Sequence, residues 1–412
     1  MGVDSSDGDS LTITGDATGD VNLLIHNTTD VTDGYQDLTI LSVGGNVEGF
    51  NPTTKFDADG YAYRLGSTTS DGGTDYFLTS KADGGDSGSD GESMISARLG
   101  SLTGFAASFD MFSMSIHDRQ GTRPWINPVT GEKTMTSLWL RQTATLENAG
   151  NSNGQLDSRN NEYVTMLGGD ILQLNAQENG YVFAGLMAGY GTSDYETESN
   201  LSGRAGRTDT DGWMVGAYGG WHQNNPETDR TGLYVAGWVQ YAHFKADISQ
   251  SGEPMTVRAD GISASLEAGW VVKAAEFQMQ GGATQGALYI EPHAQVTWSG
   301  VDSENLSDKN MDIYGQHNIT TRLGARFTLE TSGATNFSPY LEANWVHNTK
   351  DIGARWGDVT SYEEGADNQA EFKLGAETFF TDSFSGYAQI RANWGGDGYN
   401  RQEGSLGLKY RF

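Results

Sequence analysis

The sequence predicts an all-β membrane protein: a 12-stranded antiparallel transmembrane β-barrel with an α-helix through its lumen, preceded by a region of short β-runs. Three observations predict it. Alternation of apolar and polar residues with period 2 recurs from Met135 to Phe412. The polar links between alternating segments are by turns long and short. The chain ends on an amphipathic strand that stops at an aromatic residue.

Composition sets the frame for these elements. At 412 residues the chain exceeds one ordinary domain, so two structural units are expected. Mean hydropathy is −0.51, and no run of 18 apolar residues is present, so no transmembrane helix is predicted. A membrane strand shows only half its side chains to lipid, so low hydropathy does not argue against a barrel. The formal charge of −29 repels phosphate, which excludes nucleic acid as a partner. With no Cys there is neither a disulfide framework nor thiol chemistry. Met1-Gly2-Val3-Asp4 lacks the basic start and apolar stretch of a signal peptide, so an exported protein is expected to be a fragment here.

Residues 1–80 are rich in Asp, Gly and Thr, with short β-runs at Leu11-Thr12-Ile13, Val21 to Ile25 and Leu38 to Leu41. Residues 81–92 have a flexible linker's composition, Lys81-Ala82-Asp83 running into alternating Gly, Asp and Ser. Residues 93–119 read as a helix over Met94–Ile116, with Ser93 as a candidate cap. Gly100, Gly104 and Ala107 thin one side of it, Met111 follows on, and Arg98 and Asp110 argue against lipid exposure. A slim helix of mixed polarity suits a narrow polar lumen, where Arg98 and Asp110 would meet charged partners.

Residues 120–412 form the barrel. Segments begin near 136, 163, 181, 210, 232, 258, 287, 315, 337, 370, 384 and 403. The links Leu146–Asn160, Gly191–Thr210, Ala246–Val257, Ser299–Tyr314 and Asn348–Asn368 are long, and those after even-numbered strands are shorter, apart from Val272–Gly286. That asymmetry and an even strand count place both barrel ends on the short-turn, periplasmic side. Tyr190, Trp213, Trp221, Trp270, Trp298, Trp345 and Trp394 lie near strand ends, as interfacial girdles do. The polar face assigns Trp139, Arg141, Tyr289, Glu291, His293, Gln295, Arg322, Arg326, Tyr340, Glu342, Glu371, Lys373, Glu377, Tyr387, Arg391, Lys409 and Arg411 to the lumen. In the last strand Ser405, Gly407, Tyr410 and Phe412 make up an assembly signal, because a free strand edge can add to a template.

Several motifs together resemble one family. Met111-Phe112, His117-Asp118-Arg119-Gln120-Gly121 and Ser137-Leu138-Trp139-Leu140-Arg141 are similar to the helix-to-first-strand junction of type V autotransporter translocators of the AIDA-like adhesin branch. Leu167-Gly168-Gly169-Asp170, Asp211-Gly212-Trp213, Tyr289 to Gln295, Thr321 to Gly324 and Pro339-Tyr340 follow in the family's order, so the likeness covers about residues 93–412. Asp57 to Leu65 and Asp75 to Ser80 resemble the end of a pertactin-type β-helical passenger, which implies a solenoid with an autochaperone role. The resemblance implies a monomeric translocator that exports and anchors its own N-terminal passenger, an adhesin, at the bacterial surface. It implies outer-membrane lipid and the barrel-assembly machinery as further partners, with residues 1–92 outside the cell. The alternative is a non-secretory porin or barrel adhesin, for which an open lumen is expected.

No cofactor, metal site or catalytic residue is expected. Gly85-Asp86-Ser87-Gly88 resembles a serine-protease nucleophile loop, yet only His26 precedes it. The linker glycines and aspartates form one imperfect calcium-type repeat, and the His residues lack metal-ligand spacing. His222 and His347 near strand ends have no catalytic acid beside them in sequence. Self-cleavage through Asp83, Asp86, Asp90 or Glu92 has no supporting motif within the chain.

Overall fold

The structure, a computed structural model, describes all residues except 4–7, 28–36, 59, 84–91, 121–136, 152, 176–179, 226–228, 250–253, 280–283, 305, 307–309, 334–336, 382 and 412. Among the described residues, twelve antiparallel strands close into a barrel in chain order, the last pairing with the first. They are β1 (Ser137–Asn151), β2 (Leu156–Asn175), β3 (Tyr181–Ser199), β4 (Ala205–His222), β5 (Gly232–Ser249), β6 (Met255–Met279), β7 (Thr284–Ser303), β8 (Asn318–Gly333), β9 (Phe337–Asn348), β10 (Asn368–Phe379), β11 (Phe384–Trp394) and β12 (Asn400–Arg411). Alternation drives each strand. In β1, buried Trp139, Arg141, Thr143, Thr145 and Glu147 alternate with outward Leu138, Leu140 and Leu146. Outward Leu, Ile, Val and aromatic side chains cover the waist, and the expected girdle residues Tyr190, Trp213, Trp270, Trp298, Trp345 and Trp394 are exposed.

Strand boundaries correct the sequence reading at the loop end. Most of the links read as long are strand: β2 starts at Leu156, β4 at Ala205, and β5 and β6 continue to Ser249 and from Met255. The reason is visible outside, where Asp157, Arg159, Glu196, Arg207, Asp209, Asp247 and Arg258 face solvent. Above the apolar band the outward face turns polar, so the apolar-out signature of a membrane strand ends while pairing persists. Two long connections remain, after β7 and after β9. They contribute Met311–Tyr314 and the hairpin Gly353–Trp356/Val359–Tyr362, which pair as a three-stranded sheet. The exceptional link Val272–Gly286 is short, because β6 runs to Met279 and β7 starts at Thr284.

The barrel is therefore lopsided. A tilted membrane strand needs about 9–11 residues. β11 has 11 and β9, β10 and β12 have 12, close to that minimum. β2, β3, β6 and β7 have 20, 19, 25 and 20, so one wall stands well above the apolar band.

The lumen segment is shorter and more broken than one helix over residues 94–116. α1 spans Ala97–Ala107, continues as a 3-10 turn over Ser108–Asp110, and is followed after an interruption by α2, Ile116–Gln120. Ser96, not Ser93, caps α1, its hydroxyl accepting the Arg98 N–H at 3.1 Å. Ser115 starts α2 in a reciprocal cap: its N–H donates to Asp118 at 2.9 Å, and the Asp118 N–H donates back to the Ser115 hydroxyl at 3.4 Å.

The N-terminal region pairs in parallel at one-turn intervals, Gly2 with His26, Leu11 with Leu41 and Gly19 with Phe50, which is the pairing of a solenoid. Its last strands, Tyr61–Ser70 and Gly73–Thr79, are antiparallel and end it. The ends of the Gly-Asp-Ser stretch are held together, with the Ala82 N–H donating to the Glu92 carbonyl at 2.9 Å and Lys81 bridging to Ser93. Gly85-Asp86-Ser87-Gly88 lies outside the described residues, as does Phe412.

Candidate functional site

The candidate site is the filled lumen, and its two walls differ in kind. The tall wall is largely apolar: Val164, Met166, Phe183, Met187, Met214, Ala242, Phe244, Ile248 and Val257 point inward from β2 to β6. The expectation of a polar lumen is corrected on that side. Leu99, Leu102, Phe105, Phe109, Met111 and Phe112 join the buried cluster that includes this wall, with the Phe109 and Phe112 rings 5.6 and 5.9 Å from that of Phe244. Their burial stabilises the helix by about 1.5–3 kcal/mol per large side chain.

Small residues set how close the helix can come. A Cβ on Gly100 would crowd Thr197 and Leu156, and one on Gly104 would overlap the Tyr195 ring. Ala107 is buried beside them, and Met111 lies over Gly191 and Gly212. The Gly100–Gly104 pair thus serves helix-to-barrel packing. On the other side the hairpin after β9 covers the helix: the Thr103 hydroxyl donates to the Ser361 carbonyl at 3.3 Å, and the Arg98 guanidinium stands 5.8 Å from the Trp356 ring. Arg98 is half-buried, and Asp110 is 54% exposed, 3.8 Å from Arg401. The two do not share one buried face, because Asp110 points into a gap beside the helix.

The wall opposite, from β8 through β12 into β1, carries ionised side chains. Lys373 lies 3.1 Å from Glu342 and 3.8 Å from Glu371; Arg326 lies 3.3 Å from Glu342; Arg322 lies 3.0 Å from Glu371. Arg391 lies 3.2 Å from Glu403, and Arg141 on β1 lies 3.3 Å from the same Glu403. Into this wall α2 inserts Asp118, which is 1% exposed, 3.4 Å from Arg391 and 3.9 Å from Lys373. Gln389 donates to its carboxylate at 3.3 Å, and the Tyr387 hydroxyl donates to its carbonyl at 2.6 Å. Between the 3-10 turn and the ionic wall remains a cavity of about 100 Å3, lined in part by Asp110, Arg322, Glu371, Arg391, Arg401 and Glu403.

Residues 114–119 are held from all sides. His117 is 2.5 Å from Glu291, and the Ile116 N–H donates to Glu267 at 2.9 Å. Tyr234 donates to Glu267 and Glu291 at 3.1 and 2.9 Å. Trp238 and Gln295 both donate to the Met114 carbonyl, at 3.0 and 2.9 Å. The Arg119 guanidinium stacks 3.8 Å from the Tyr218 ring, and the Tyr218 hydroxyl accepts the Trp139 indole N–H at 3.0 Å.

Among the expected lumen residues, Arg141, Arg322, Arg326, Glu342, Glu371, Lys373 and Arg391 meet in the one network, and His293 borders it, 2.8 Å from Asn344 and 3.7 Å from Glu342. Tyr340 packs under Arg326 and donates to Gln389 at 3.0 Å. Tyr289 stands apart, 4.6 Å from the Arg230 guanidinium. Glu377 is buried and Lys409 half-buried, and the side chain of Arg411 lies outside the described residues. Ser405 points inward and donates to Glu403 at 2.7 Å; Gly407 lies under Tyr387, where a Cβ would overlap the ring; Tyr410 faces outward.

A second cluster escaped the sequence reading. Arg401 lies 3.3 Å from Glu147 and 3.2 Å from Glu162, Tyr399 donates to Glu147 at 2.8 Å, and Tyr195 donates to Glu363 at 3.1 Å. Glu147 fell in a stretch read as a link, although Thr143, Thr145 and Glu147 keep the period of β1. Asp118 and its neighbours His117 and Arg119 were also left unassigned. The available signal was three consecutive charge-bearing residues on a short helix, a pattern that can be buried only among complementary charges. Among the described residues no group of three or more His, Cys, Asp or Glu side chains is placed to hold a metal.

Comparison with known proteins gives a consistent picture. Residues 138–391 match the family model of the autotransporter beta-domain. The chain is 29% identical to YdeU of Escherichia coli K12 over 100% of its own length and 93% of that protein. It is 30% identical to the autotransporter adhesin AIDA-I of Escherichia coli over 99% of its length, spanning 32% of that protein. The crystal structure of the AIDA-I transport unit from Escherichia coli superposes with a TM-score of 0.69 at 30% identity, covering 77% of this chain and 99% of that one.

Proposed function

The chain belongs to the autotransporter beta-domain family, is an outer-membrane translocator, and from that premise we propose how it works: the barrel lets its own N-terminal region reach the cell surface and then holds it there by plugging itself. The observation that carries this reading is the order of elements along one chain. Its described parts follow in order: the solenoid at the loop end, α1 and α2 in the lumen, and then β1. The loop end accordingly faces outside and the turn end the periplasm.

Two kinds of contact divide the work. A mainly apolar wall offers few directional bonds, so it suits a segment sliding past. The ionic wall and the acceptor-rich pocket around residues 114–119 hold one register of chain. Export here draws on the free energy of folding outside, led by the 9–80 region as an autochaperone. No cleavage step is assigned to residues 81–92, and at their end Glu92 accepts the Gln155 amide N–H at 2.9 Å. For assembly we assign Ser405, Gly407, Tyr410 and Phe412 of the last strand to recognition by the barrel-assembly machinery. A barrel closed on itself with a lipid-facing apolar belt fits a monomer. AIDA-I is named an adhesin, and by that likeness the exported region is assigned to adhesion.

The test is electrical and topological. In planar bilayers the whole chain is expected to conduct weakly, and a variant lacking residues 93–119 to conduct several-fold more. On intact cells residues 1–80 are expected to be open to added antibody. Equal conductance with and without the plug, or an N-terminal region hidden from the medium, overturns the reading.

A further inference from the structure

On the tall wall the N-terminal region meets the barrel through a guanidinium. Arg204 sits in the tight turn between β3 and β4, on the tall wall. The turn is internally tied: the Ser199 N–H donates to the Arg204 carbonyl at 2.8 Å and the Gly203 N–H to the Ser199 carbonyl at 2.8 Å, with Gly203 at φ +62°. The Ser202 N–H also donates to the Ser199 hydroxyl at 3.2 Å. The fork of Arg204 reaches into the strand pair Phe56–Ala58/Tyr61–Tyr63. It donates to the carbonyls of Thr54, Phe56 and Tyr63 at 3.2, 3.0 and 2.5 Å and closes an ion pair with Asp57. Both partners of that pair are nearly out of solvent, at 11% and 10% exposure.

The same carboxylate faces the other way as well. Asp57 accepts the Ser96 hydroxyl at 3.1 Å, and Ser96 is the residue that caps α1. A third contact completes the seat: a Cβ on Gly60, at φ +79°, would run into the Trp356 carbonyl and Val359 of the hairpin after β9. The hairpin at 56–63 thus rests on two barrel loops and on the start of the lumen helix.

We propose that Arg204 is a folding latch: it captures the backbone of residues 54–63 as they leave the lumen and so nucleates the surface region on the barrel rather than free in the medium. The inference rests on the export reading above. Phe56 pairs with Tyr63, so one fork bonds carbonyls of both strands of the three-residue ladder that joins Phe56–Ala58 to the edge of the hairpin Tyr61–Ser70/Gly73–Thr79. Arginine suits this because its planar donors are preorganised and less hydrated than an ammonium. Because the turn that carries it is rigid before the exported chain arrives, little conformational entropy is lost on capture. Asp57 then transmits the capture to Ser96, so seating the hairpin and starting the helix are one event.

The test follows the full chain in cells. After a pulse of synthesis, the time for residues 38–80 to become protease-resistant on intact cells is measured, with the heat-modifiable mobility of the barrel as internal control. Arg204→Met is expected to slow that step about tenfold, as loss of charge-assisted bonds formed in a folding nucleus does. Arg204→Lys is expected to slow it nearly as much, since a point charge cannot reach three carbonyls together. Asp57→Asn keeps the carbonyl bonds and is expected to have a smaller effect. Faster amide exchange across residues 54–63 in purified Arg204→Met is expected alongside. A native rate in Arg204→Met, full recovery in Arg204→Lys, or equal slowing of the barrel control each overturns the latch. Absence of residues 1–80 from the surface of cells making the native chain sinks the export reading instead, so the two failures are separable.

Discussion

At the scale of single residues, Asp118 has the largest predicted effect. Its carboxylate lies in a pocket with Arg391 and Lys373 and is the only acidic group α2 supplies to the ionic wall among the described residues. Asp118→Asn keeps the volume and removes the charge, so the cations face one carboxylate fewer in a buried setting. A loss of about 3 kcal/mol is expected, the scale of breaking a buried pair. It should appear as a lower urea midpoint for the barrel in detergent. Pairing it with Lys373→Met should cost less than the two changes summed. Glu363 makes a different prediction. Burial first, and then the nearby Glu147, hold its carboxyl well above the usual carboxylate range. The folded state therefore binds this proton more tightly than the unfolded chain does. The stabilisation is full below the ordinary glutamate pKa and is lost as pH rises through the raised folded value. Amide protection of the hairpin at 353–362 should fall across that rise in pH, and Glu363→Gln should flatten the fall. Arg141, Glu371 and Lys373 could be placed in the lumen from sequence because period 2 fixes a face. The partnership of Lys373 and Arg391 with Asp118 could not be read there, since those contacts join residues more than 250 apart.

At the scale of elements, the lumen helix was legible in kind and not in extent. Its small residues and scattered polar groups marked it as enclosed, and Gly100 and Gly104 do face the wall. What sequence could not show is the interruption after Asp110, which follows from the reciprocal cap at Ser115 and from the pocket waiting for residues 116–119. Gly104→Val should overlap Tyr195 and cost about 1–3 kcal/mol, the range for overpacking. Raised protease sensitivity of α1 in the folded protein would report it, and Tyr195→Leu in the same chain should recover part of the loss. The strand ends were misread for a related reason. Alternation reports a difference between two environments. Above the apolar belt the outward face of β2 to β6 is polar, so the apolar-out pattern of a lipid-facing strand stops although pairing goes on.

At the scale of the whole molecule, twelve strands, a filled lumen and a lipid belt were legible because each leaves a periodic trace. The division of the lumen into an apolar and an ionic half was not, because it is a property of which strands stand opposite one another. The join between β12 and β1 offers a further check. Gly407 admits the Tyr387 ring beside that join. Gly407→Val should slow the appearance of the heat-modifiable form several-fold, while outward Leu408→Val should leave it near native. Asp118 bears on the same join from inside. It touches Arg391, which touches Glu403 on β12, which touches Arg141 on β1. An arch cannot be finished by sliding its keystone in after the last course is locked. By the same reasoning the segment around Asp118 is expected to lie within the curling sheet when the two ends meet, so the masonry of the wall is braced from inside before the upper helix comes to rest.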